Sequence, residues 1–152
     1  MDTVKIEFLK ECPLFIGFHE GQYSSLSDLA CTHEFKTGDT IIAEGSAGDT
    51  FFILMEGEIS IEKAAPEGGR HQLTTLIQPG DFFGEMAVVD VRPRSASAVA
   101  QSRARILSVS KEDLLKLFEE YEELMMLIPY NIARVLSERL RNADETMAAV
   151  SG

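Results

Sequence analysis

The sequence predicts a mainly β domain flanked by helices, with short helices before the sheet region and two helices after it. Two observations carry this. Between residues 31 and 110, seven short β-type runs alternate with breaks rich in Gly and Asp. On either side, apolar residues fall at helical spacing instead. Many short strands with turn signals every 8 to 12 residues or so indicate a β-sandwich, a jelly roll or a roll.

The elements follow in order. Residues 1–30 read as an N-terminal helical segment. "TVKIEFLKE" is a short amphipathic helix that must stop before Pro13, because a residue preceding proline is pushed out of the helical region. "EGQYSSLSDLA" is a second short helix, capped near Glu20 to Gln22. Residues 31–110 hold the runs "THEFK", "TIIAE", "TFFILMEG", "EISIEK", "HQLTTLIQ", "ASAVA" and "ARILSVS". Their breaks are "TGD", "EGSAGD", "EG", "APEGGR" and "QPGD". "EKAAPEGGRHQ" is a polar hairpin loop, a tolerant surface turn. Residues 111–150 are helical. Ser110 is the expected N-cap, with Asp113 at the third helical position in the manner of a capping box. Pro129 either ends that helix or sits in the first turn of the next. Beyond it, Ala133, Leu136, Leu140, Ala143, Met147 and Val150 form one apolar stripe at spacings of 3 and 4. Such a stripe is either the face of a helix lying on the β domain or a seam between two chains.

Composition narrows the function. The chain has 152 residues, of which 45% are hydrophobic and 26% charged, the make-up of an ordinary soluble globular domain. No apolar run approaches the roughly 20 residues that span a bilayer. The first turns mix charges into "MDTVKIEFLKECPLF", unlike a secretory signal. Cys12 and Cys31 lack metal-type spacing, so free thiols and a cytoplasmic setting are expected. A net charge of −11 argues against duplex nucleic acid and anionic membranes as partners. It leaves room for an anionic small molecule held by a local group of donors.

Such donors stand in "QPGDFFGEMAVVDVRPRSASAVA". Gly80-Asp81 makes a turn and Phe82 and Phe83 go to the core. Gly84, without a Cβ, allows close backbone approach. "GEMAVV" can open a short helix whose first amides, at Glu85, Met86 and Ala87, suit an anion. Arg94 can aim a planar charged fork at the same anion, and Ser95 adds a hydroxyl. A carboxylate beside a phosphate would repel it, so Glu85 fits best as an acceptor for a sugar hydroxyl. Ala96, Ala98 and Ala100 leave room for the ligand. Phosphate and ribose together describe a nucleotide, and the small pocket favours a monophosphate. The plain alternative is that Glu85 and Arg94 pair with each other, a contact worth about 0–1 kcal/mol at a surface.

"FGEMAVVDVRPRSASA" resembles the phosphate-binding cassette of the cyclic nucleotide-binding domain family. "FKTGDTIIAEGSAGDTFFILMEGEISI" resembles the glycine-marked roll of the same family, and "CPLF" and the final helices also fit. Ser46 and Gly17 depart from the family's usual residues. The resemblance implies an eight-stranded antiparallel β-roll of the double-stranded β-helix or jelly-roll type. Its cassette spans 82–97, within 31–110. It implies that Arg94, the backbone of Met86 and Ala87, and Ser95 hold a cyclic phosphate, while Glu85, placed by Gly84, takes the ribose 2′-hydroxyl. Thr75 is a candidate for the base side, and Arg139, Leu140, Asn142 and Ala143 for the last helix that covers the base. The implied protein is a non-enzymatic sensor of cAMP or cGMP that needs no cofactor. Capture of the phosphate draws the cassette inward, and the last helix closes over the base about a hinge near Pro129. Its partners would be the cyclic mononucleotide, an unnamed downstream protein and a second copy through the last helix. Three other readings stand beside it. One is an interaction module with a vestigial or permanently filled pocket. Another is a transcription regulator without its helix-turn-helix, since none follows in this chain. The third is a cupin-type enzyme, which would want clustered histidines where His19, His33 and His71 are scattered.

Overall fold

The computed structural model of the protein describes residues 2–85 and 92–151. Helix α1 is Thr3–Lys10, a 3₁₀ turn covers Pro13–Phe15, and α2 is Glu20–Leu29. Eight strands follow: β1 (Cys31–Phe35), β2 (Thr40–Ile42), β3 (Thr50–Glu56), β4 (Ile59–Ala64), β5 (Arg70–Leu76), β6 (Phe82–Phe83), β7 (Ser97–Ala100) and β8 (Ala104–Ser110). Two helices close the chain, α3 (Lys111–Glu120) and α4 (Leu124–Ser151).

The strands form two antiparallel four-stranded sheets, ordered β1-β8-β3-β6 and β2-β7-β4-β5. The first sheet is covered on both faces, which explains the unbroken apolar run of β3. Phe51 and Ile53, with Leu107 and Val109 of β8, pack against a cluster that includes Leu9, Phe15, Leu26, Leu114, Leu124 and Ile128 from the helices. The alternate residues Leu54 and Ile106 face the second sheet, joining Ile42, Ile59, Leu76, Phe83, Ala98 and Ala100. Period-two alternation thus divides one sheet between two cores.

The sheet region and the two helices before it are as the sequence predicts. Seven of the strands lie on the runs recognised there. The eighth, β6, is only two residues long, and its Phe82 and Phe83 are buried as expected. Helix α2 is capped by His19, whose amide bonds the Gln22 side chain at 2.9 Å.

The C-terminal helices differ from expectation in where they part. The break falls at Tyr121–Glu123, and Pro129 lies inside α4. Contacts with the N-terminal segment accompany the earlier break. The Tyr121 ring meets His19 edge-on at 5.2 Å, and Gln22 Nε2 donates to Glu123 Oε1 at 2.8 Å. Pro129 costs α4 one backbone bond, the amide that would reach Met125. Just beyond it, the buried Asn131 donates through Nδ2 to the carbonyls of Leu14 and Ile16, both at 3.0 Å. Ser110 caps α3 reciprocally with Asp113, as the sequence indicates.

Candidate functional site

The arm that carries Arg94 has no regular structure of its own and is placed by hydrogen bonds to the loop between β2 and β3. The Arg94 amide donates to Ser46 O and its carbonyl accepts from the Gly45 amide, each at 2.8 Å. Ser97 Oγ accepts the Glu44 amide at 2.9 Å, fastening the start of β7 to the same loop. Lys63 Nζ donates to Ser95 O at 2.7 Å from β4. Arg94, Ser95 and Ser97 are therefore tied down before any ligand is considered.

The Arg94 guanidinium is held as firmly as its backbone. Nη1 donates to Gly84 O at 3.0 Å and Nη2 to Thr50 O at 2.6 Å. Gly84 has φ +76°, a left-handed value that favours glycine, and a Cβ there would come within 2.9 Å of Arg94 Nη1. Two of the five N–H groups of the fork are thus used on the protein. Among the described residues nothing takes the other three, which leaves them for an acceptor in front of the fork.

Glu85 stands two residues beyond the end of β6, after Gly84, and is 8% exposed. Burial pushes its carboxyl above the ordinary glutamate range, against the lowering pull of its own amide and of the Arg139 and Arg94 charges. Burial likewise lowers the Arg94 guanidinium, while Asp49 and Glu85 oppose this. Among the described residues no ion pair joins Glu85 to Arg94, so the two are not each other's explanation.

Both side chains line one cavity of about 390 Å³, within the range of small-molecule sites, roughly 300–1,000 Å³. Its walls are apolar on the roll side, from Ile42, Ile61, Leu76, Phe83 and Ala98. They are polar toward Gly84, Glu85, Arg94 and Ser95. Arg139 reaches the cavity from α4. Its guanidinium carbon sits 4.7 Å from the centre of the Phe82 ring, and Nη2 donates to Phe82 O at 3.1 Å. A cation over an aromatic face is attractive, so this is the polar link from α4 to β6.

The candidate residues fall into three groups. Gly84, Glu85, Arg94, Ser95 and Arg139 are brought together around the cavity. Met86 and Ala87, with the helix start expected at "GEMAVV", lie outside the described residues. Thr75, Leu140, Asn142 and Ala143 do not line the cavity. Thr75 accepts a hydrogen bond from Gln72 Nε2 on the far side of β5. Its neighbour Thr74 lines the cavity instead, opposite Ile61 in the register. Alternation from the inward Leu76 is the signal that identifies Thr74. Leu140, Asn142 and Ala143 are exposed on α4. Arg92 and Pro93 line the cavity without having been singled out.

Among the described residues no cluster of three or more His, Cys, Asp or Glu could hold a metal ion. No helix among them is long and apolar enough to cross a membrane.

The chain is similar to known proteins in sequence and in fold. The chain is 31% identical over 142 residues to a CRP-like cAMP-activated global transcriptional regulator of Mycobacterium tuberculosis, covering 93% of this chain and 61% of the regulator. It is 32% identical over 123 residues to a cAMP-dependent protein kinase regulatory subunit of Aspergillus niger, covering 81% of this chain and 29% of the subunit. It thus spans less than two thirds of either relative. Among solved structures, the N-terminal domain of a transcriptional regulator from Streptomyces coelicolor superposes with TM-score 0.75 at 26% identity, over 92% of this chain and 94% of that one. The family model described as the cyclic nucleotide-binding domain matches residues 32–121, which take in α3, Glu85, Arg94 and, apart from Cys31, both sheets, but not Arg139. The chain belongs to the cyclic nucleotide-binding domain family.

Proposed function

We propose that the chain is a sensor of a cyclic nucleotide monophosphate, cAMP or cGMP, and acts by binding rather than by catalysis. One observation carries this most directly. The Arg94 fork and the Glu85 carboxylate face one cavity without pairing, a charge for a phosphate beside an acceptor for a sugar hydroxyl. In this reading Arg94, Ser95 and the amides of Met86 and Ala87 hold the cyclic phosphate. Glu85 accepts from the ribose 2′-hydroxyl, and Ile42, Ile61, Thr74 and Leu76 face the rest of the molecule. Arg139 is the residue of α4 that meets the ligand. The relatives' names carry cAMP, which makes it the first ligand to test.

Signalling passes through α4 to a downstream protein, in a cytoplasmic setting. A ligand shifts α4 only if it binds one of its positions better than another, and Arg139 is the group able to sense the difference. The stripe Ala133, Leu136, Leu140, Ala143 and Met147 alternates spacings of 3 and 4, the period of a two-helix seam. Leu136 is half-buried against the helical core. Leu140 and Met147 are 64% and 67% exposed, so this chain leaves most of the stripe uncovered and a second copy fits it.

Titration calorimetry with cAMP, cGMP and linear 5′-AMP tests the reading, preceded by native mass spectrometry to detect ligand carried through purification. Saturable binding of a cyclic mononucleotide in preference to 5′-AMP is expected. A cavity that takes up neither cyclic nucleotide and carries none would overturn it in favour of an interaction module. A sizing column with and without ligand tests the seam.

A further inference from the structure

We infer that Gly48, in the loop before β3, is a positioning residue for the ligand site, and that its lack of a side chain exists to seat the Arg94 guanidinium. The inference rests on the cyclic phosphate reading of Arg94 and deepens it. Gly48 does not line the cavity, and its backbone lies outside the left-handed region. Alanine would therefore suit its conformation. Space is what forbids it. A Cβ at Gly48 would stand 2.7 Å from Arg94 Nη2, 2.9 Å from Nε and 3.1 Å from Cζ. All three nearest atoms belong to one planar group, and Nη2 and Nε are nearer than Cζ, so the Nη2–Nε edge of the guanidinium is packed against the bare backbone of Gly48.

The same Nη2 donates to Thr50 O, and the other terminal nitrogen, Nη1, donates to Gly84 O. Two carbonyls and one glycine therefore define a slot of fixed depth. At 2.7 Å against the 3.4 Å at which ordinary contact begins, a methyl group at Gly48 would push Nη2 by about 0.7 Å. The end of an arginine side chain can swing away, so the fold absorbs the change. The ligand site does not, because the fork would leave the position in which Thr50 O and Gly84 O aim it. A misplacement of about 1 Å at a functional group can cost on the order of a hundredfold. This separates Gly48 from Gly84, where the left-handed backbone already demands glycine.

The test is a double-mutant cycle between Gly48→Ala and Arg94→Ala, read by competition against a fluorescent cAMP analogue and by thermal melting. Gly48→Ala alone is expected to weaken cAMP binding about ten- to a hundredfold, with a melting temperature close to wild type. In the Arg94→Ala background the same substitution should change affinity less than about twofold, since nothing is left to displace. Gly48→Ala with Arg94→Lys, whose slimmer ammonium clears the methyl, should bind better than Gly48→Ala alone. Wild-type affinity in Gly48→Ala overturns the inference while leaving the ligand site intact. So does equal loss in both backgrounds, or unfolding in both, which would make Gly48 a requirement of the loop itself. Failure of wild type to bind cAMP or cGMP overturns the site reading and this inference together.

Discussion

Removing the Arg94 fork is the perturbation with the largest expected effect on binding. In Arg94→Ala, the two hydrogen bonds to Gly84 O and Thr50 O disappear together with the N–H groups left for the ligand. A hydrogen bond to a charged group contributes roughly 1.5–3 kcal/mol. With two of five N–H groups committed to carbonyls, one or two bonds to a phosphate remain within the fork's geometry, a loss of about 2–5 kcal/mol. At about 1.4 kcal/mol per factor of ten, that is roughly 30-fold to a few thousandfold in Kd. Arg94 is half-buried, so solvent screens part of its charge and the lower half of the range is the better expectation. Calorimetry with cAMP on the folded variant reads it, with Arg94→Lys as the intermediate case that keeps the charge and loses the fork. Affinity within threefold of wild type in a variant that melts normally would refute the reasoning, since the phosphate would then be held elsewhere.

Other outcomes follow from the same coordinates. Glu85 has a raised folded value, so the protonated carboxyl favours the fold; that contribution is complete below the ordinary glutamate range, about 4.3, and is lost as pH rises through the raised value. Glu85→Gln is therefore expected to melt higher than wild type at neutral pH, by a margin that shrinks on acidification, which a pH series of melting curves measures. Wild-type affinity for cAMP should fall over the same acidic window as the carboxylate is lost, and a flat pH profile would exclude Glu85 as acceptor. Asn131→Ala strands two carbonyls at the 3₁₀ turn and should cost about 2–4 kcal/mol in urea unfolding. Ser110→Ala removes the side-chain cap of α3 and should cost about 1 kcal/mol in the same assay.

What was legible in the chain follows the range of the interaction concerned. The strands were readable because Gly45, Gly57 and Gly80 punctuate apolar runs at short intervals, and turn chemistry is local. Strand β6 was not, since two residues carry no period. The α3 cap was readable because Ser110 and Asp113 are three residues apart. The break at Tyr121 was hidden because Leu114, Leu117, Leu124 and Ile128 keep a helical spacing straight through it. The contacts of Tyr121 and Glu123 there are made with His19 and Gln22, about a hundred residues earlier. The residues of the candidate site were visible in the cassette, but its geometry was not. The partners of the Arg94 fork include Thr50 O, 44 positions away, and the bare seat at Gly48.

The double hydrogen bond of Asn131 has a mechanical consequence. It anchors α4 near one end, between the buried Ile128 and Ile132, while residues 141 to 148 are exposed. From Asn131 to Thr146 the helix runs about 22 Å at 1.5 Å per residue. Turned by ten degrees about that anchor, it carries Thr146 through about 4 Å, whereas Arg139, halfway along, moves about 2 Å. If α4 turns as one body, that anchor makes it a lever with its fulcrum in the protein core, and a displacement the size of one guanidinium contact emerges about twice as large at the far end.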